Sequence, residues 1–272
     1  FGLSVLTLIA AAPGAVATAA VQDEKVIPAA MPTDGPRTLD PVRGSTTYDN
    51  MGCAQVYETL LQVSYHDNQR FEPLLLAEMP TRLDGGKRYR FRLRDDVRFQ
   101  DDACFPGGKG RRMVTDDVFF SWKRLADPEN GLKNWWLLED AIVGFDSPEN
   151  GEAFDYDAPI EGFVKISDTE FEVELTRPVF RFLWVLTMFQ TAIVPHEAVA
   201  RYGEDFGAHP VGTGPYVLDE WIPKQRLTFE RNPNYYESYY PAAELWSEED
   251  RENGLADAAG QRLPIADRVA CA

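Results

Sequence analysis

Two stretches of strict alternation constrain the fold of this 272-residue chain more than any other feature. In residues 89–94 apolar side chains alternate with arginines, and in residues 170–175 they alternate with glutamates. Alternation with a period of two is typical of a strand that has one buried face. Opposite charges on facing strands attract by ~0.2–1 kcal/mol per pair, so we predict that the two strands are neighbours in one sheet. Its buried face would hold Tyr89, Phe91, Leu93, Phe171, Val173 and Leu175.

Helical patterns lie between these strands. Apolar residues recur at i, i+4 in residues 49–61, and Thr115 precedes two aspartates and an apolar face as a helix N-cap would. Residues 182–189 are apolar nearly all round and predict a buried helix, and another helix runs from Pro195 to a stop at Gly203. Helices and strands therefore alternate, which predicts an α/β chain with antiparallel sheet in its middle.

The amino-terminal residues resemble a secretory signal. Residues 3–12 are apolar, and Ala17-Thr18-Ala19 has the small-x-small pattern of a cleavage site. We therefore predict a partial signal peptide over residues 1–19. The apolar run is far shorter than the ~20 residues that span a bilayer, so no membrane-spanning segment is predicted.

Charge and cysteine content restrict the partners. The chain carries 44 acidic and 27 basic residues, for a net charge of −17, which argues against nucleic acid binding. The chain has three cysteines, Cys53, Cys104 and Cys271, so at least one thiol would have no disulfide partner within this chain after export. A Cys53–Cys104 disulfide and buried free thiols both fit the spacing. Metal-ligand spacing of Cys and His is absent from the sequence, so neither a metal nor another cofactor is predicted.

No catalytic motif is recognisable. Gly212-Thr213-Gly214 leads through Pro215 into a strand, whereas a phosphate-binding loop opens a helix. Asp101-Asp102 has no nucleophile or histidine placed beside it in sequence, and Gly-x-Ser-x-Gly and His-Glu-x-x-His are absent. We therefore predict that the chain is not an enzyme.

Four segments, taken in order, resemble a known family. They are residues 39–41 (Leu-Asp-Pro), 57–61 (Tyr-Glu-Thr-Leu-Leu), 211–216 (Val-Gly-Thr-Gly-Pro-Tyr) and 230–236 (Glu-Arg-Asn-Pro-Asn-Tyr-Tyr). Together they are similar to the peptide-binding class of extracellular solute-binding proteins of ABC importers, family 5, of the oligopeptide and dipeptide type. The resemblance runs from about residue 37 to the end of the chain. No single motif is specific; the ordered set is.

The resemblance implies an α/β, periplasmic-binding-protein-like (type II) fold of two lobes. Relatives are roughly twice as long, so this chain would hold only lobe I and the extra middle domain, with the second lobe missing. Lobe I would combine residues 20–57 with residues 196–272. Residues 58–195 would form the middle domain.

The resemblance also implies a periplasmic receptor that binds peptides and delivers them to the permease subunits of an ABC transporter. Ser45, Thr46 and Thr47 would pair through their backbone with an extended ligand and be partly exposed here. Asn134 and Trp135, with Trp136, would form an aromatic loop at the ligand. The glycines of the Gly-Thr-Gly turn would allow a tight backbone where the chain crosses from one domain to the other.

Oligosaccharides and metal chelates remain alternative ligands, and a secreted α/β hydrolase is the alternative class.

Overall fold

A computed structural model describes residues 24–31, 35–67, 69–148 and 152–271. The predicted signal peptide lies outside these residues. The strands are β1 (Val26–Ala29), β2 (Leu61–Val63), β3 (Phe71–Pro73), β4 (Thr81–Leu83), β5 (Arg88–Arg92), β6 (Phe163–Lys165), β7 (Glu170–Glu174), β8 (Tyr216–Ile222), β9 (Arg226–Arg231) and β10 (Arg268–Cys271). The helices are α1 (Thr47–Val56), α2 (Thr115–Ala126), α3 (Phe182–Val185), α4 (His196–Tyr202) and α5 (Glu248–Glu252). Within the described ranges no helix is both long and apolar enough to cross a bilayer.

The arginine and glutamate strands lie side by side, as predicted. They form the centre of an antiparallel sheet in the order β4-β5-β7-β6. Arg90 faces Glu172 directly, with Nη2 2.6 Å from Oε1. The six apolar residues predicted for the buried face are all buried, and the Phe91 and Phe171 rings stack at 4.8 Å. Helix α2 covers this face, where Phe119 stacks on Phe163 at 4.7 Å.

A second four-stranded sheet joins distant parts of the sequence. Its order is β1-β10-β9-β8, with β1 parallel to β10 and the other pairs antiparallel. Strand β1 precedes the middle sheet in the chain, and β8, β9 and β10 follow it. The predicted lobe I has this same discontinuity, while the domain boundaries at residues 58 and 195 remain predictions.

A buried ion pair ties the amino-terminal segment to the middle of the chain. The Arg124 guanidinium on α2 donates to both carboxylate oxygens of Asp40, at 3.0 and 2.8 Å, and both side chains are buried. Pro41 begins a turn in which the N–H groups of Arg43 and Gly44 donate to the Asp40 carbonyl, at 3.2 and 2.9 Å. The Asp40 side chain fixes the amino-terminal segment against α2.

Three helix predictions need correction. Helix α1 ends at Val56 rather than Leu61, because the chain turns there to place Glu58 among hydroxyl groups and then enters β2. The apolar spacing beyond Val56 reflects burial alone. Thr115 is the first residue of α2, not its cap, and its hydroxyl donates to the Ser167 carbonyl. Helix α3 is a single turn whose Trp184 is half-exposed, so residues 182–189 are not one buried helix.

Candidate ligand-binding groove

The Gly-Thr-Gly turn lies against the end of α1. The Gly214 N–H donates to the Val56 carbonyl at 2.8 Å. A Cβ at Gly212 would overlap that carbonyl oxygen, and one at Gly214 would come within 2.6 Å of it. Only glycine allows so close an approach of two backbones. The glycines therefore serve backbone packing and do not form a phosphate loop.

Three of the sequence motifs meet at one carboxylate. Glu58, two residues beyond α1, accepts a hydrogen bond at Oε2 from the Thr213 hydroxyl, 2.9 Å away. Its Oε1 accepts from the hydroxyls of Tyr235 and Tyr236, each at 2.8 Å. Asn232 completes the junction by donating to the Gly214 carbonyl at 2.8 Å. These contacts fix the end of α1, the glycine turn and the Tyr-Tyr segment relative to one another.

Burial dominates the electrostatics of Glu58. The side chain is almost wholly removed from solvent, which disfavours its charged form and raises its pKa to about 7. The three hydroxyl donors and the charge of Arg94 act in the opposite direction. The Arg94 guanidinium lies 4.4 Å from the centre of the Tyr236 ring.

Glu58 lies on the wall of an open groove of about 440 Å³. The groove runs between the end of α1, the β2–β3 hairpin and the segment after Tyr235. Its aromatic lining includes Tyr57, Tyr65, Phe189, Tyr235 and Tyr239, and its titratable groups include Glu58, His66 and Glu72. Tyr65 and Tyr239 are 61% and 53% exposed, so aromatic surface faces the open groove. The groove thus has the size and mixed lining of a small-ligand site.

The amino-terminal end of α1 carries the predicted residues Ser45, Thr46 and Thr47. Ser45 and Thr47 are exposed and Thr46 is half-buried, which confirms the expected partial exposure of this segment. Asp49 accepts from the N–H groups of Ser45 and Thr46 at 3.0 and 2.9 Å. Burial opposes ionisation of Asp49, but these hydrogen bonds and that of Arg37 outweigh it and lower its pKa. Two backbone donors expected to meet a ligand are therefore used in capping the helix.

Asn134 lies against the same segment. Its amide donates to the carbonyls of Val42 and Gly44, at 3.0 and 2.9 Å, so the structure brings the two predicted parts of the site together. Trp135 is buried with its ring edge-on to Phe145, whereas Trp136 is half-exposed.

None of the five predicted ligand residues is among the described residues that line the groove. Groove residue Ala54 lies seven residues along α1 from Thr47, about 10 Å at 1.5 Å per residue. The ligand role of these five residues remains a prediction.

In the described part of the chain, no cluster of three or more His, Cys, Asp or Glu side chains is arranged to hold a metal ion. All three cysteines are free thiols, so the Cys53–Cys104 disulfide is not formed.

A family comparison identifies the fold. The sequence profile of "Bacterial extracellular solute-binding proteins, family 5 Middle" matches residues 70–269. The chain belongs to this family. Family 5 members are solute-binding proteins, which agrees with the resemblance carried by the four motifs.

Individual family 5 relatives are longer than this chain. The peptide transport periplasmic protein SapA of Salmonella typhimurium is 30% identical over 249 residues, which are 86% of this chain and 43% of SapA. The probable deoxycholate-binding periplasmic protein YgiS of Escherichia coli is 27% identical over 208 residues, 75% of this chain and 36% of YgiS. The structure of Listeria monocytogenes OppA bound to peptide superimposes with a TM-score of 0.67 at 17% identity, over 92% of this chain and 42% of OppA. The chain therefore spans less than half the length of these proteins.

The Glu58 cluster is the part of the candidate site that the sequence patterns did not predict. Each of its members stands in one of the four motifs, but local sequence gives no sign that these motifs meet. A glutamate that stands between the apolar residues Tyr57 and Leu60 must be buried beside them, and a buried carboxylate requires donors. Thr213, Tyr235 and Tyr236 are hydroxyl residues of two other motifs, and their presence is the signal that could have found the cluster.

Proposed function

We propose that this chain forms part of a periplasmic receptor that binds peptides and delivers them to the permease of an ABC importer. The observation that carries the proposal is the open groove beside Glu58, at the junction of three motifs in a family 5 fold. The relative SapA is a peptide transport protein and Listeria OppA binds peptide. The net charge of −17 suits a dispersed extracytoplasmic protein without nucleic acid partners.

The groove, rather than the segment at Ser45, is the surface we assign to ligand. It is open on one side, its walls are aromatic, and its backbone framework is fixed by the hydrogen bonds to Glu58. A rigid wall reduces the entropy lost on binding. Ser45 and Thr47 remain exposed at the other end of α1 and would extend the contact of a longer ligand.

Analysis of the ligand retained during purification tests the proposal. The product of the complete gene is purified from the periplasm without denaturant, then unfolded, and the released small molecules are identified by mass spectrometry. We expect a mixed population of short peptides. Release of a single non-peptide compound, together with the absence of binding to added peptides, would overturn the peptide assignment and leave the receptor class.

A hydrolase is the second candidate because a serine and a histidine lie near the groove. The Ser64 hydroxyl is 3.4 Å from both ring nitrogens of His66. An activated serine instead faces one nitrogen along its lone pair at 2.6–3.2 Å, typically with the other nitrogen held by a third group. Ser64 is also buried and is not among the described groove residues. This geometry favours the receptor, and we expect the Ser64→Ala variant to bind peptide as the parent does.

A further inference from the structure

The groove has an uneven distribution of charge. Two carboxylates, Glu58 and Glu72, are part of its lining. Among the described lining residues, neither lysine nor arginine occurs, and His66 is the sole basic side chain. Glu72 therefore supplies the negative charge of the groove, whereas the buried Glu58, with its pKa raised to about 7, carries only part of a charge at neutral pH.

Glu72 is the carboxylate that has capacity for a new partner. It lies half-buried on β3, and the hydrogen bond recorded for it in the described chain is from the Gln62 amide at 3.5 Å, a long contact. Glu58 differs, because three hydroxyls already donate to it. A cation in the groove would therefore be held by Glu72.

The arginines nearest the groove make their hydrogen bonds outside it. The Arg94 guanidinium lies over the Tyr236 ring and donates two hydrogen bonds to Asp96, at 2.9 and 2.7 Å. Arg262 donates to the backbone carbonyl of Tyr235 at 3.3 Å. Neither arginine is among the described residues that line the groove.

The aromatic walls favour the same class of ligand. Tyr65 and Tyr239 expose ring surface at the groove, and the face of a tyrosine ring attracts ammonium and guanidinium groups. Tyr65 is backed by Tyr240, at 6.3 Å between ring centres, and Tyr240 stacks on Trp246 at 5.5 Å. The Tyr65 ring is therefore held in place by packed aromatic neighbours, and its exposed surface is accessible to a cation.

We propose that the groove selects peptides that carry a lysine or arginine side chain, with the cationic end placed at Glu72 near the exposed Tyr65 ring. This specificity rests on the proposed peptide-binding function. An anionic ligand would enter a groove of like charge, so deoxycholate, the ligand named for the relative YgiS, should be rejected.

The test compares peptides that differ at one central position, with lysine, norleucine or glutamate, by titration calorimetry on the product of the complete gene. Norleucine keeps the apolar stem of lysine and removes the charge. We expect the lysine peptide to bind about tenfold more tightly than the norleucine peptide at low salt. The gap should shrink as salt screens the charges, and the glutamate peptide and deoxycholate should bind weakest.

The variant Glu72→Gln assigns the effect to one residue. This variant should bind the lysine peptide about fivefold more weakly than the parent does, and its affinity for the norleucine peptide should equal that of the parent. Glu174→Gln removes the same charge from an exposed position on the middle sheet, outside the groove, and should change neither affinity. Equal affinity for the lysine and norleucine peptides, or an unchanged preference in Glu72→Gln, would overturn the charge selectivity while the peptide receptor stands. Failure of all three peptides to bind would overturn the proposed function as well.

Discussion

Glu58 links the folding of this chain to pH. Burial raises its pKa from 4.5 to about 7, so between these values the folded chain binds more protons than the unfolded chain. The contribution of this group to stability is therefore fully present below pH 4.5 and is lost as pH rises toward 7. The shift corresponds to about 3 kcal/mol.

The variant Glu58→Gln tests this linkage, because glutamine resembles the neutral acid and does not titrate. The free energy of unfolding of the variant, relative to the parent, should rise by about 3 kcal/mol between pH 4.5 and pH 8. Urea unfolding at a series of pH values measures it. Glu174→Gln, at an exposed position, should track the parent at each pH. Parallel curves for Glu58→Gln and the parent would show that Glu58 does not titrate in this range.

Gly212 tests the close contact between the glycine turn and α1. A methyl group there would overlap the backbone carbonyl of Val56, which cannot move aside as a side chain can. We expect Gly212→Ala to lower the free energy of unfolding by about 3 kcal/mol. The matched control is Gly260→Ala, a positive-φ glycine with open space around it, which should cost only about 1 kcal/mol. Equal losses in chemical denaturation would contradict the packing role of Gly212.

At the scale of elements, the Asp40–Arg124 pair joins the Leu-Asp-Pro turn to α2. Both side chains are buried, so removal of Asp40 leaves Arg124 without an anionic partner among the described residues, and removal of Arg124 leaves Asp40 with the longer ion-pair contact to Arg43 Nε at 3.6 Å. The variants Asp40→Asn and Arg124→Met should each lower the free energy of unfolding by about 3–5 kcal/mol. The double variant should lower it by clearly less than the sum of the two single losses. A thermodynamic cycle from urea unfolding gives the coupling energy.

The exposed Lys109–Asp101 pair is the control for this cycle, with Nζ and Oδ2 2.6 Å apart. Its coupling should not exceed about 1 kcal/mol, because solvent screens it. If the buried pair showed no larger coupling than this exposed pair, Asp40 and Arg124 would not hold the two elements together.

The elements that the sequence predicts best are those whose pattern arises from one buried face. The pairing of strands β5 and β7 and their shared buried face follow from alternation and opposite charge, which the structure shows in the contact of Arg90 with Glu172. Helix α4 and its end at Gly203 follow from local signals. The end of α1 could not be predicted in this way, because Leu60 and Leu61 are buried whether or not the helix continues.

The candidate site depends on contacts between distant segments, and that limits its prediction. Glu58 and Tyr236 are 178 residues apart in sequence and hydrogen-bonded in space. Local periodicity gives no information on such a pair. The capping role of Asp49, which occupies the N–H groups of Ser45 and Thr46, also depends on atomic geometry that the helix pattern alone does not give.

At the scale of the whole molecule, the chain spans 43% of SapA and 42% of Listeria OppA. The groove is open on one side, and its walls come from the end of α1, the β2–β3 hairpin and the segment after Tyr235. We propose that these walls form one part of a cleft and that the rest of a full-length receptor closes over the ligand. A ligand enclosed from one side alone keeps only part of its contacts and remains hydrated.

Titration calorimetry with a mixed peptide library, on this chain and on the product of the complete gene, tests that central claim most directly. The account predicts that the complete product binds peptides and that this chain binds them at least about tenfold more weakly, a difference of about 1.4 kcal/mol. Circular dichroism of this chain provides the control that it is folded. Comparable affinities for the two proteins would contradict the claim that the groove is one side of a larger cleft.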